Sequence, residues 1–491
     1  MFMGQARRKH GESIMDKSKA VLANVASRRA VLAGAGGVAA WAMLPQTSSA
    51  QKIAKPGAGQ RVNVAVIGAG GKGADNMAKL TGQNIVAMCD VDMGRVSRSL
   101  SDKNGIKPEM VELKAAYDKA EQFADYRKMF DGRKDIEAVL IATPDHHHAV
   151  AARMAMERGL HVFVQKPLTY TVRESRLLTS LAEKTPGLVT QMGNQGHSSD
   201  EGRRAVELLR GGAIGKVKEV HIWTNRPVWP QGVGKPDAKP VPATLDWDLW
   251  RGPANVDWGY NPDYAHFNWR GWVPFGTGAV GDMGAHLMDF PVWALDLGLP
   301  TRIETHHSLW GGDTDPWDYK RPDMLTSYPL ASIIYYEFGK AKGGPIKLTW
   351  YDGGLAPPAP RGLPADRIVE EEGGVLYVGD KGQLLHDTYG FKPTLIGGDA
   401  IARGAKIPVS LPRIEGSTKG HEMNWIRAIR GEEKISSPFS QAGVLTESML
   451  LGMVAMRADK PIEYDGAKGV ITNLPEANVY LDREYRKGWE L

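Results

Sequence analysis

Between residues 62 and 192 the chain alternates short unbroken apolar runs with stretches in which apolar residues recur every three or four positions. The runs at 62–67, 84–89, 138–142, 161–164 and 188–191 read as strands buried on both faces. The stretches at 74–80, 95–104, 117–130, 149–158 and 172–184 read as the helices between them. This alternation predicts βαβ units with right-handed crossovers, and so a doubly wound parallel sheet. Beyond residue 193 the pattern changes. Strand-like runs recur at 218–223, 302–308, 331–338, 346–351 and 375–378 with little helix between them, and Gly379-Asp380-Lys381-Gly382 joins the last to Gln383-Leu384-Leu385. That spacing predicts an open, mainly antiparallel sheet.

The first predicted strand runs directly into Gly68-Ala69-Gly70-Gly71-Lys72-Gly73, with a helix behind it. Glycine at Gly68, Gly70, Gly71 and Gly73 permits a tight turn, close approach of the backbone to a pyrophosphate, and close helix–strand packing. Phosphates then rest on free N–H groups at the helix start. Asp90 ends the second strand, 17 positions beyond Gly73. A carboxylate there would take the ribose hydroxyls of NAD and repel the 2′-phosphate of NADP, although Arg95 and Arg98 leave NADP open. Gly68, Asp90, Thr143 and Lys166 all fall at carboxyl ends of predicted strands, where open α/β sheets bind ligands. A chain of 491 residues is expected to hold two domains. The expected fold class is α/β plus α+β: a Rossmann domain over 62–192, and an α+β domain over 193–491. A linker at 51–61 precedes them.

Ser27-Arg28-Arg29 opens an uncharged, weakly apolar stretch over 33–44, followed by Pro45 and Ser48-Ser49-Ala50. A basic region, a short hydrophobic region and small residues in that order predict a twin-arginine export signal over 1–50, cleaved near Ala50. The apolar run is far shorter than the ~20 residues of a membrane span, so removal is expected rather than a stable anchor. The expected partner is the twin-arginine machinery and the expected location the periplasm. Removing residues 1–50 takes away seven Lys/Arg and two Asp/Glu, leaving 54 of each from totals of 61 and 56. The mature chain is formally neutral, so its charge gives no reason to expect nucleic acid. Cys89 is the only cysteine, which excludes an intrachain disulfide and suits a protein exported already folded.

Gly68 to Gly73, Asp90, Ala142-Thr143-Pro144-Asp145-His146-His147-His148 and Lys166-Pro167 together resemble the Gfo/Idh/MocA oxidoreductases, the family of glucose-fructose oxidoreductase and inositol dehydrogenase. The resemblance extends from about Val62 into the last hundred residues. It departs at Gln165, where the family has Glu before Lys-Pro; a neutral amide would pair with Lys166 less strongly than a carboxylate. The resemblance implies that Thr143 and Pro144 line the nicotinamide side, and that His148 caps the following helix beside the cleft. It also implies that the domain over 193–491 takes part in substrate binding and oligomerisation, that His421, in Lys419-Gly420-His421-Glu422-Met423-Asn424, lies near the substrate, and that the protein is a dimer or tetramer. Three consecutive histidines cannot converge on one ion from regular structure, and no metal is expected.

Asp282, His286 and Asp289 are spaced to share one helical face, with Pro291 marking a kink or restart. Asp282 and His286 match the family's catalytic pair, which completes a triad with Lys166. Oxidising a secondary alcohol needs a base for the hydroxyl proton while hydride leaves carbon. His286 is expected as that acid/base, Asp282 as its orienting partner, and Lys166 as the hydrogen-bond donor to the substrate oxygen. Ten of the 14 tryptophans fall between Trp223 and Trp317. Most are expected to serve packing, but Trp269 and Arg270 are assigned to the substrate: an aromatic face for C–H surfaces and a guanidinium for hydroxyls.

The reading that results is an NAD(P)-dependent oxidoreductase with tightly held cofactor, acting on a sugar, sugar derivative or inositol-like polyol. Two alternatives stand beside it. One is a redox-neutral glycoside-cleaving enzyme that oxidises, eliminates and re-reduces on one NAD; the motifs of the family's known glycosidase branch are not found. The other is a catalytically silent sugar-binding protein, against which Lys166, Asp282 and His286 argue together.

Overall fold

The structure is a computed structural model and describes residues 53–80, 82–102, 105–106, 111–308 and 326–491. The expected export signal and its cleavage site, together with Trp310 and Trp317, lie outside the described residues. The first sheet is built in chain order from β1 (Asn63–Ile67), α1 (Lys72–Ala78), β2 (Asn84–Cys89), α2 (Met93–Ser99), the small hairpin β3 (Ser101–Asp102) and β4 (Gly105–Ile106), and α3 (Val111–Lys119). It continues through β5 (Glu121–Phe123), α4 (Tyr126–Gly132), β6 (Ala138–Ile141), α5 (Asp145–Glu157), β7 (His161–Val164), α6 (Val172–Lys184) and β8 (Thr190–Met192). Its six strands run in the order β5-β2-β1-β6-β7-β8, all parallel. β6 and β7 are buried at every residue, which is why their sequence shows no alternation. α6 starts at a capping box in which Thr171 and Glu174 satisfy each other's backbone N–H groups.

Three expected elements differ. The helix expected over 95–104 stops at Ser99, and Ser101–Asp102 pairs with Gly105–Ile106 instead of continuing it. The helix expected over 117–130 is two helices separated by β5, a three-residue edge strand whose exposed residues carry no periodic signal. Asp125 forces the restart by capping α4 through the Arg127 N–H at 2.9 Å. α5 begins at Asp145, so the three histidines lie inside it.

The second half continues with α7 (Asp200–Arg210), β9 (Val217–Thr224), α8 (Trp247–Arg251), α9 (Gly278–Leu287), α10 (Asp289–Leu295) and β10 (Arg302–His307). β11 (Ser332–Phe338), β12 (Ile346–Tyr351), β13 (Gly373–Gly379), β14 (Gly382–Asp387) and β15 (Thr394–Ile396) follow. α11 (Gly398–Gly404), α12 (His421–Ile429), α13 (Phe439–Ala458), β16 (Ile462–Asp465) and β17 (Val470–Ile471) complete the fold. The nine strands run in the order β15-β14-β13-β9-β12-β11-β10-β16-β17, antiparallel except for the parallel β9–β12 pair. α13 has the length and composition of a membrane span, yet 83% of that window is buried inside the protein, so it is a core helix. It packs on α6 and α9, while Trp425 and Ile426 of α12 join the apolar core under β1. The late part of the chain therefore returns to the first sheet.

The turn after β1 depends on its glycines. Gly68 has φ +78°, and a Cβ there would lie 2.7 Å from the Ala142 carbonyl carbon. A Cβ on Gly73 would lie 1.9 Å from the Gly68 carbonyl oxygen, an overlap that backbone alone can relieve. Gly73→Ala is expected to destabilise the protein by about 1–3 kcal/mol, the cost of forcing a methyl into a closed contact. A lowered midpoint in denaturant unfolding, with unchanged m-value, checks it.

Candidate active site

A cavity of about 580 Å³ opens where the carboxyl ends of β1, β2, β6 and β7 face the segment between β9 and α9. One end is built from the glycine turn. Gly68, Gly70, Gly71 and Asp90 line it, with the Gly70 N–H donating to Asp90 Oδ2 at 2.9 Å and the Asp92 N–H to Oδ1 at 2.9 Å. Burial pushes the Asp90 carboxyl up, against these two backbone bonds and Arg95. Arg95 lies along the turn, its Nη2 2.9 Å from where a Cβ on Gly71 would be, whereas Arg98 turns to Asp92 at 3.4 Å. Gly73 does not line the cavity; its part is the close contact with Gly68 described above.

The middle of the cavity is lined by Thr143 and Pro144, and Thr143 Oγ1 is buried without a hydrogen-bond partner among the described residues. His148 stands behind them, not beside the cleft. Its Nε2 is 2.8 Å from the Thr143 carbonyl and its Nδ1 2.7 Å from the Pro167 carbonyl, and it is wholly buried. Burial lowers its pKa to about 4, so the neutral ring donates to one of these two carbonyls, and His148 does not line the cavity. His146 and His147 point their Nε2 atoms at the Trp250 carbonyl, at 3.0 and 2.9 Å, and tie α5 to α8. The histidine run is thus spent on backbone carbonyls.

An ionic cluster around Asp282 forms another part of the wall. Lys166, two residues beyond β7, places Nζ 2.6 Å from Asp282 Oδ1 on α9 and 2.5 Å from the Asp282 carbonyl. Arg270 Nε donates to the same Oδ1 at 2.9 Å, and Arg226 Nε stands 3.8 Å from Oδ2. Burial pushes the Asp282 carboxyl up, but Lys166 and Arg270 outweigh it and hold the group well below the usual carboxylate range. Burial lowers the Lys166 ammonium, with Asp282 opposing the shift and Arg270 adding to it. His286, one turn along α9, lines the cavity with Nδ1 unpartnered among the described residues. Burial, reinforced by Lys166, drives its pKa well below the ordinary histidine value, so the ring is neutral. Asp282, expected as the orienting and electrostatic partner of His286, bonds Lys166 and Arg270 and acts on the ring through its charge.

Two further expectations change. Asp289 does not line the cavity with Asp282 and His286; its carboxylate meets His197 Nδ1 at 2.9 Å. His421 is wholly buried away from the cavity, with Nδ1 2.7 Å from Ser198 Oγ and Nε2 2.8 Å from the Met192 carbonyl. A histidine in a polar local sequence reads as a ligand contact, but the start of α12 is covered by β8 and Ser198. Trp269 and Arg270 do line the cavity. Sequence reasoning missed Arg226, Tyr389, Trp250 and Trp489, which line it too. Arg226 could have been found as a charge two residues beyond a strand end. Tyr389, with its ring 5.0 Å from that of His286, follows β14 with no motif around it.

Gln165 does not pair with Lys166. Its Nε2 donates to Asn76 Oδ1 at 2.9 Å, and Asn76 Nδ2 donates to Glu422 Oε1 at 2.5 Å. Burial pushes the Glu422 carboxyl up, with Lys79 opposing. This relay already contains one buried carboxylate and requires a donor from position 165, which explains an amide there.

The model of an oxidoreductase family's NAD-binding Rossmann fold matches residues 62–192, and that of the same family's C-terminal alpha/beta domain matches residues 215–307. A glycosyl hydrolase family 109 protein from Shewanella pealeana is 31% identical over 188 residues, covering 35% of this chain and 40% of the relative. One from Saccharopolyspora erythraea is 30% identical over 164 residues, covering 32% and 34%. The chain thus spans about two fifths or less of the length of these curated relatives. Among solved structures, the WlbA dehydrogenase from Chromobacterium violaceum, in complex with NADH and UDP-GlcNAcA, superposes with TM-score 0.57 at 15% identity, over 84% of this chain and 99% of that one. GenD2 from gentamicin A biosynthesis, in complex with NAD, gives TM-score 0.53 at 15% identity, over 86% and 99%. At these identities the likeness is one of fold.

Gln165→Glu is expected to destabilise the protein by about 1–3 kcal/mol, since it removes the donor to Asn76 and adds a second acidic group to a buried relay. Urea unfolding of the variant against the parent measures it.

Proposed function

The chain belongs to the Gfo/Idh/MocA oxidoreductase family, and from that premise we propose that it is an NAD-dependent oxidoreductase acting on a secondary hydroxyl or ketone of a sugar, sugar derivative or polyol. The observation that carries this reading is His286: a neutral imidazole facing the cavity with an unpartnered ring nitrogen, one helical turn from a Lys166–Asp282 pair. The residues present fit the cofactor. The glycine turn leaves room for pyrophosphate where side chains would intrude, Asp90 presents its carboxylate for ribose hydroxyls, and Thr143 Oγ1 and His286 Nδ1 are buried polar atoms awaiting partners. When bound, NAD supplies the acceptor for hydride.

The chain's own residues do the rest. Lys166 Nζ, oriented by Asp282, is the donor that fixes the substrate oxygen. The neutral His286 takes the hydroxyl proton in oxidation and returns it in reduction. Burial of both groups keeps water from competing for that proton.

We further propose that the cofactor is retained. The segment between β9 and α9 closes on the nucleotide end through the Asp246 N–H, which donates to the Val91 carbonyl at 2.9 Å, and through His266 Nε2, 3.1 Å from Asp92 Oδ2. Trp489, near the end of the chain, adds a wall from another direction. Retention suits a protein exported already folded, as the Arg28-Arg29 segment supports, because a periplasm offers no comparable nucleotide pool. A redox-neutral glycoside-cleaving cycle is the second reading, supported by the family 109 relatives.

Protein purified without added nucleotide is expected to release NAD on denaturation, and turnover of candidate polyols to raise absorbance in the reduced-nicotinamide band. Release of aryl alcohol from aryl glycosides, with no net reduction, would instead favour the second reading. His286→Ala is expected to lower hydride transfer by about 10²–10⁴-fold while still co-purifying with nucleotide; unchanged transfer would refute the assignment. The base must be unprotonated, and its pKa is lowered, so activity is lost only as pH falls through that lowered value. The kcat/KM for alcohol oxidation is therefore expected to stay level from about pH 8 down to the ordinary histidine pKa of about 6.5, as a pH–rate profile would show.

A further inference from the structure

The substrate end of the cavity carries more positive charge than its carboxylates offset. Lys166, Arg226 and Arg270 converge on Asp282 at 2.6, 3.8 and 2.9 Å, and all four side chains are less than a third exposed. Of the other carboxylates lining the cavity, Asp75 pairs with Lys72 and Lys79, Asp125 with Arg127, and Asp90 accepts backbone bonds beside the glycine turn. Asp145 accepts from Thr277 Oγ1 at 2.6 Å, and burial raises its pKa to about 7, so it offsets the cluster only in part. Guanidinium groups do not deprotonate to relieve the imbalance. The cofactor's pyrophosphate belongs to the glycine turn, where Arg95 lies against Gly70 and Gly71 and Arg270 is close enough to feel its charge.

The two arginines are also held in place. The Arg270 guanidinium lies 4.2 Å from the Trp269 ring and 4.8 Å from the Phe267 ring, and Nη1 donates to the Phe267 carbonyl at 2.9 Å. Arg226 is fixed by its position just after β9, with its backbone N–H directed at Thr224 Oγ1 and Nη1 at Asn225 Oδ1. Preorganised guanidinium groups that share one carboxylate are arranged to receive a second anion.

Resting on the oxidoreductase reading, we propose that the substrate is an anionic sugar, whose carboxylate or phosphate group is received by Arg226 and Arg270 while the reacting hydroxyl lies between Lys166 and His286. Trp269 and Phe267 then serve first to hold Arg270 and only secondarily as a sugar platform.

The test is equilibrium binding to the NAD-loaded protein, read by tryptophan fluorescence or calorimetry. It therefore does not depend on turnover and separates failure of this inference from failure of the oxidoreductase reading. Glucose, glucuronate and glucose 6-phosphate serve as probes. At low salt the better of the two charged sugars is expected to bind at least about tenfold more tightly than glucose, and raising the salt should erode that ratio. Which charged sugar leads identifies carboxylate or phosphate as the recognised group. Arg226→Gln is expected to bring the ratio towards one, and Arg226→Lys to keep part of it. Equal binding of glucose and both charged sugars, or a ratio unchanged in Arg226→Gln, would overturn the proposal.

Discussion

The contact on which the rest of the site depends is the one between Lys166 and Asp282. Lys166 leaves the end of β7 in the first sheet, and Asp282 sits on α9 among the elements of the second half, so this pair sets how the two meet. Burying two charges costs more than their mutual attraction returns unless further hydrogen bonds complete them. Here Asp282 takes Arg270 on the same oxygen, and Lys166 also donates to the Asp282 backbone carbonyl. The pair is therefore tied to backbone as well as side chain, which fixes Lys166 Nζ in space and not merely near a charge.

The glycine turn and the histidine run supply a second constraint of the same kind. Gly73 lets α1 approach the end of β1, and Gly68 lets that turn approach Ala142 and Thr143 beyond β6, so the shape of the nucleotide site follows from backbone contacts. His146 and His147 then fasten α5 to the Trp250 carbonyl, while His148 bridges the turns carrying Thr143 and Pro167. Burial lowers the pKa of all three imidazoles, and each neutral ring has one N–H to donate to a facing carbonyl.

What was legible in the chain divides along physical lines. β1, β2, β6 and β7 could be read because buried parallel strands are continuous apolar runs, and the 172–184 helix because its capping box and periodicity agree. β5 could not be read, because a three-residue exposed edge strand contains no pattern. Gly68, Asp90 and Lys166 could be picked out at strand ends, and Asp282 and His286 through the family resemblance; all five line the cavity. His148 and His421 were misjudged, since sequence shows that a side chain can hydrogen-bond but not whether the chain's own carbonyls have already claimed it. Arg226 and Tyr389 were missed for the converse reason: each comes to the cavity only because β9 and β14 carry their ends there.

Position 165 shows how one local exception propagates. With glutamine there, Lys166 has no acidic neighbour in sequence and its charge is balanced from α9 and beyond. The carboxylate that the family pattern places before the lysine is instead represented at a distance by Glu422, which reaches Gln165 through Asn76 and lies on α12, far along the chain. Lys166 is left facing one carboxylate that it must share with Arg270 and, more loosely, Arg226. Gln165 thus links α12 to the first sheet through Asn76, while the charge of Lys166 beside it is met from α9.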